Sequence, residues 1–148
     1  MIPARYGLTR SLVDPNGAYR VCFQTSSWGY SRTTAYTSRS AEMDDILHDL
    51  DLFVTQSHGN SGSSTQPQQS RPQAWAKNIV SVGGFLHGDN ADPSDDRWGR
   101  SGSTGPAVDG RIGVTFTGYY DNIFTTDYNA TGYRANFGGT SGATPMVC

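Results

Sequence analysis

The chain has 148 residues, 35% of them hydrophobic, and a formal net charge of −2. That length suits one domain, and the charge excludes the basic footprint of a nucleic-acid binder; Lys77 is the only lysine and the arginines are scattered. No stretch has the apolar length needed to cross a bilayer, and no apolar run follows Met1-Ile2-Pro3-Ala4-Arg5, so no signal peptide is read there.

Residues 19–24, YRVCFQ, are rich in strand formers and lead into a Ser/Gly turn, so they are expected to form a strand. Cys22 within it is expected to pack as a small hydrophobe, and Cys22 and Cys148 to be free thiols. Before it, Asp14 in Val-Asp-Pro-Asn-Gly reads as a turn residue. Residues 30–39 are polar and loop-like. Ser40 is then the expected N-cap of a helix, with Glu42, Asp44 and Asp45 in the first turn, where the helix dipole favours anions. Met43, Ile46, Leu47 and Leu50 have the spacing of one buried stripe.

A short apolar run, residues 50–57, follows that helix directly and ends in His58-Gly59-Asn60-Ser61-Gly62. A helix passing at once into a buried strand predicts an α/β crossover and a parallel sheet. Residues 61–71 read as loop, 79–85 as a second buried strand, 86–106 as loop, and 111–117 as a further strand. Asp89, Asp92, Asp95 and Asp96 lie close together beside His87 and Asn90. Oxygen-rich loops of this kind can hold Ca²⁺, but the spacing is not that of an EF-hand, and a solvated acidic loop is the expectation. No pair of histidines or cysteines has zinc spacing. Asn129-Ala130-Thr131 has the form of a glycosylation acceptor. The aromatic residues Tyr119, Tyr120, Phe124, Tyr128 and Tyr133 are expected to pack on the sheet rather than to flank a cleft.

Gly138-Gly139 breaks the chain before a helix expected to start near Thr140 or Ser141. A serine there lies among unpaired backbone N–H groups at the positive end of the helix dipole, a setting that stabilises developing negative charge. Pro145 is expected in or just after the first turn, where its missing N–H costs little. On these residues alone a simple N-cap is the expected role of Thr140 or Ser141.

The longer string Gly139-Thr140-Ser141-Gly142-Ala143-Thr144-Pro145 resembles the nucleophile motif of the subtilisin-like serine proteases, the subtilases, which reads Gly-Thr-Ser-x-Ala-Thr-Pro. Gly142 fills the variable position, where the family more often carries a larger residue, and is expected to loosen the helix start slightly. Other segments resemble the family in family order. SHGNSG (57–62) is similar to Ala-Ala-Gly-Asn-x-Gly, with His58 in place of a small residue. SSWGY (26–30) is similar to the strand exit that lines the substrate. PQAWAKNIVSVGGF (72–85) is similar to the stretch before a core strand. SGSTGPAVDGRIG (101–113) is similar to a Gly-Pro…Asp-Gly-Arg-Ile segment that departs at Gly113-Val114-Thr115, where the family has Lys-Pro-Asp.

The resemblance implies an α/β, three-layer subtilisin-like fold with a central, mostly parallel sheet. It implies Ser141 as nucleophile and Asn60 as the side-chain donor to the oxyanion. Ser27, Trp28, Gly29, Ser57 and Gly59 would contact the substrate, a protein or peptide. No cofactor is implied beyond a possible structural calcium, no nucleic-acid or membrane partner is expected, and an extracellular location is implied by the family alone. A serine hydroxyl needs a general base and a carboxylate to orient that base. In the family both lie upstream of the oxyanion asparagine, as Asp-Ser/Thr-Gly and His-Gly-Thr motifs, and both are absent here. His48 and His58 are expected to be non-catalytic. Residues 1–148 are therefore expected to be a partial catalytic domain, the upstream Asp and His segments and the end of the serine helix lying outside it, and to be inactive alone.

Overall fold

The computed structural model describes residues 4–62, 65–128 and 131–148. The first three residues, part of the Ser/Gln-rich loop and Asn129-Ala130 of the sequon lie outside the described residues.

Helix α1 (Ala4–Val13) opens the chain, a helix that periodicity did not announce: its residues ARYGLTRSLV form no apolar stripe, and only Thr9 is buried. It is held from outside, by Tyr6 and Val13 packed against the core and by Tyr6 Oη donating to Asp49 at 2.9 Å. Asp14 makes the expected turn, accepting from the Asn16 N–H at 2.8 Å.

Strand β1 (Phe23–Ser26) starts later than expected. Arg20 takes a positive φ of 51° and the Val21 N–H returns to Leu12, so Tyr19 to Val21 turn over the end of α1 instead of extending. Cys22 consequently lies ahead of the strand and is exposed, not packed; both cysteines are free.

Helix α2 (Ser38–Leu50) is capped by Thr37, not Ser40. Ser40 is the third helical residue, and its hydroxyl completes a capping box by accepting from the Thr37 N–H at 3.1 Å while donating to Pro72 at 2.6 Å. The acidic residues therefore sit beyond the first turn. Asp44 instead accepts from Tyr36 Oη and from the Lys77 and Asn78 N–H groups, tying α2 to the next connection. The stripe is as expected: Met43, Ile46 and Leu47 are buried, and Leu50 packs at its margin.

Strands β2 (Phe53–Ser57) and β3 (Val80–Phe85), with a 3₁₀ turn at Pro72–Trp75 between them, and strand β4 (Phe116–Tyr119) complete a parallel sheet in the order β1-β2-β3-β4. The strand expected over 111–117 begins only at Phe116, because Arg111 is drawn away to Asp109 at 2.8 Å and to the Trp75 carbonyl at 2.9 Å. Strands β5 (Ile123–Thr126) and β6 (Tyr133–Phe137) form an antiparallel hairpin that the sequence did not announce. Phe124 stacks on Tyr133 there, and Phe124, Tyr128 and Tyr133 are largely exposed, whereas Tyr120 lies against Gly84 of β3 and Tyr119 packs against Phe85 and His87, so the aromatic cluster packs on the sheet only in part. Helix α3 (Thr140–Val147) ends the chain.

The layers follow from the pleat. Val54 faces α2 in the main core with Met43, Ile46, Leu47, Leu52, Ala76 and Ile79. Alternate residues face α3, where Gly118 lies against Ala143. On that α3 side, Phe23 and Phe53 are register partners, and Phe116 pairs with Val82. These three phenylalanines stand at the strand beginnings and are 54%, 47% and 57% exposed. Exposed aromatic side chains on one face of a sheet bind hydrophobic probes. The 148-residue chain by itself is therefore expected to enhance anilinonaphthalenesulfonate fluorescence, and the triple variant Phe23→Thr/Phe53→Thr/Phe116→Thr to lose most of that signal. Equal dye binding by both proteins would contradict the assignment of this row.

Candidate active site

The site forms where the strands deliver their carboxyl ends to the start of α3. Gly139 caps α3 with a φ of 81°, a conformation that L side chains rarely adopt. A Cβ there would also come within 2.9 Å of Asn60 Nδ2. The Gly139 N–H donates to the Tyr120 carbonyl at 2.7 Å, which anchors the turn to the end of β4. Ser141 follows as the second residue of the helix.

Thr140 orients Asn60, a function the sequence did not disclose. Its backbone N–H and its hydroxyl both donate to Asn60 Oδ1 at 2.9 Å. Because a backbone N–H can only donate, the amide oxygen must face Thr140 and the amide nitrogen must face away. The Gly59 N–H donates to Thr140 Oγ1 at 3.2 Å, closing the network from the end of β2. The Ser141 N–H and Asn60 Nδ2 have no acceptor among the described residues. Two donors are thus left free at the positive end of α3, with orientations set by Thr140 and the helix.

Ser27 lies across from Ser141. Ser27 Oγ donates to the Ser141 carbonyl at 2.8 Å, and Ser141 Oγ donates to the Ser27 carbonyl at 3.4 Å. The Trp28 carbonyl points the other way and accepts from Gln56 Nε2 at 2.6 Å. In extended backbone, neighbouring residues present their polar groups to opposite sides. Ser27 thus faces Ser141, and Gly29 lies too tightly against Arg71 for any side chain. Trp28 is half exposed, whereas Ser57 is buried within β2 and Gly59 is buried with its N–H already given to Thr140.

His58 lies on the other face of the sheet. It is fully buried, edge-on against Trp75 at 4.9 Å, with Nδ1 2.8 Å from Ser81 Oγ and 3.2 Å from Ser70 Oγ. Nε2 faces Gly113, where a Cβ would come within 2.5 Å. The two departures from the family pattern, a histidine for a small residue at 58 and Gly113 for lysine, are therefore in contact: the large ring occupies the room the missing side chain leaves. Burial lowers the His58 pKa to about 4, so the imidazole is neutral near pH 7. A second exchange of volume surrounds Gly142, whose missing side chain is replaced by Ile123 of β5 pressing on the same spot. The helix start is packed, not loosened.

Among the described residues, neither a histidine nor a carboxylate bonds Ser141 Oγ. His48 is exposed and pairs with Asp49, and His87 pairs with Asp121 at 2.9 Å. In the acidic loop, Asp92 accepts from the Ser94 N–H and Asp95 accepts from Asn90 Nδ2. No group of three or more His, Cys, Asp or Glu side chains converges among the described residues.

A parallel sheet backed by helices on both faces, with a serine at a helix start beside an amide donor, defines an α/β protein of the subtilisin-like type. The Subtilase family of S8 peptidases matches residues 9–148, and the chain belongs to that family. No curated protein matches the sequence. Among solved structures, the prenylagaramide maturation protease PagA superposes with a TM-score of 0.65 at 16% identity, covering 97% of this chain and 45% of that one. Sphericase superposes with a TM-score of 0.63 at 23% identity, over 84% of this chain and 39% of its own. The PatG macrocyclase in complex with peptide gives 0.60 at 12% identity, over 97% of this chain and 38% of its own. These identities speak for the fold alone, and the chain spans less than half the length of each.

Proposed function

We propose that this chain is part of the catalytic domain of a serine endopeptidase and that Ser141 is its nucleophile. The observation that carries the proposal is the pair of free, oriented donors at the start of α3. With Asn60 Oδ1 held by Thr140, the Asn60 amide and the Ser141 N–H are positioned to receive an oxyanion. In this reading Ser141 Oγ attacks the scissile carbonyl carbon, the carbonyl electron pair moves onto oxygen between those donors, and the hydroxyl proton passes to a base. That base and its carboxylate belong to a longer protein, since no residue described here is placed to act. The backbone of Ser27, Trp28 and Gly29 would pair with an extended peptide as an added strand. Family membership supports a peptide substrate.

A second reading, a peptide-binding module without catalysis, is favoured by one observation: among the described residues no base is bonded to Ser141, whose hydroxyl donates to the Ser27 carbonyl. A fluorophosphonate probe separates the two. The longer protein carrying this chain is expected to be labelled at Ser141, and Ser141→Ala to abolish both labelling and peptide hydrolysis. Peptide binding with no labelling would establish the binding module instead.

A further inference from the structure

We propose that the Ser27 side chain is a positioning residue for the nucleophile, standing in for the hydrogen bond that Pro145 removes from α3. The proposal rests on the reading of Ser141 as nucleophile.

Pro145 does not fall in the first turn of α3. It is the sixth residue of the helix, in the second turn. A proline there has no N–H for the carbonyl four residues earlier, and its ring presses that carbonyl away from the helix axis. The carbonyl in question is that of Ser141. It is therefore deprived of its helical partner at the very residue whose hydroxyl would react.

Ser27 Oγ fills the vacancy, donating to this carbonyl at 2.8 Å from an element 114 residues away in sequence. The neighbouring Thr140 carbonyl accepts from Thr144 Oγ1 at 2.5 Å. In return, Ser141 Oγ donates to the Ser27 carbonyl at 3.4 Å, at the outer limit of hydrogen bonding. The two contacts differ in strength. The short one fixes the backbone of Ser141 against the exit of β1, while the long one leaves the hydroxyl loosely held and ready to give its proton to a base. The substrate would lie along the same residue, Ser27, so one side chain sets the gap between the attacking oxygen and the peptide to be attacked. Reaction rates are steep in that gap.

The test is a double-mutant cycle in the longer protein that carries this chain, read by the second-order rate of fluorophosphonate acylation and by peptide hydrolysis. Ser27→Ala is expected to lower acylation and kcat about tenfold, the scale of one lost hydrogen bond, with KM nearly unchanged. Ser27→Thr, which keeps a hydroxyl, should retain most of the rate. Pro145→Ala restores an N–H at position 145, and adding it to Ser27→Ala should recover most of the loss, which general destabilisation by Ser27→Ala would not allow. Full acylation by Ser27→Ala, or a loss that Pro145→Ala leaves in place, overturns the proposal. Ser141→Ala run alongside separates the two levels: activity surviving in it removes the nucleophile reading itself, whereas its loss together with a full-rate Ser27→Ala removes only the positioning role.

Discussion

If the proposed serine peptidase reading holds, replacing Asn60 by alanine is expected to lower kcat of the longer protein about 10²- to 10³-fold, with KM little changed, because an oxyanion donor is needed only when charge has moved onto the carbonyl oxygen. The structure sharpens this expectation through Thr140. In the alanine variant the Thr140 N–H and hydroxyl both lose their acceptor, Asn60 Oδ1, so part of the loss is disorder at the start of α3. Asn60→Asp separates the two effects. An aspartate retains an oxygen for both Thr140 donors but turns the Nδ2 donor into an anionic acceptor facing the developing negative charge. Its kcat should fall at least as far as that of Asn60→Ala while its thermal stability stays nearer the wild type. An Asn60→Asp enzyme of near wild-type kcat would show that the amide does not serve an oxyanion.

The stability of the 148-residue chain is expected to fall between pH 6.5 and about pH 4 on account of His58. In the unfolded chain this histidine takes up a proton near its ordinary value of about 6.5. In the folded chain, burial beside Trp75 with Nε2 facing Gly113 delays protonation to about 4. The folded pKa is depressed, so the neutral form is the one the fold accommodates: the fold is unhindered by this group above the unfolded value, and stability is lost as pH falls toward the folded value. Over that window the loss amounts to about 3 kcal/mol, at about 1.4 kcal/mol per unit of pH. Marginal domain stability makes that a large fraction of the whole. Urea midpoints at pH 7 and pH 4.5 should differ strongly in the wild type and much less in His58→Gln, whatever the absolute stability of the variant. Parallel pH slopes in the two proteins would assign the acid sensitivity to other groups. The same burial explains why His58-Gly59, although it echoes a histidine–glycine pair in sequence, offers no base to Ser141: its Nδ1 is engaged by Ser81 and Ser70.

Three parts of the molecule were legible without coordinates, for local reasons. The stripe Met43, Ile46 and Leu47 required a buried helix face, and the apolar runs 53–57 and 80–85 required strands covered on both sides. The string from Gly139 to Pro145 required a turn into a helix with Ser141 near its mouth. Each of these depends on interactions within a few residues, where side-chain periodicity and glycine's conformational reach are decisive. Helix α1 and the β5–β6 hairpin escaped because neither carries a periodic apolar face. One is held by α2 and the core beneath it, and the other by cross-strand pairing. The later onset of β1, which leaves Cys22 exposed, followed from a left-handed turn at Arg20 that no composition signal marks.

The site divides along the same line. Chain chemistry alone determined that a serine stands at a helix start and that an asparagine ends a buried strand. The resemblance implied that these work together, but only the tertiary structure decided how the amide is held, because Thr140, eighty residues beyond Asn60, binds its oxygen and turns the amide nitrogen outward. It also decided that Ser27 meets a carbonyl freed by Pro145, that Ile123 fills the space beside Gly142, and that His58 spends its bulk against Gly113. Such pairings join residues far apart in the chain, and their energy depends on distance and direction in space, which sequence order does not encode.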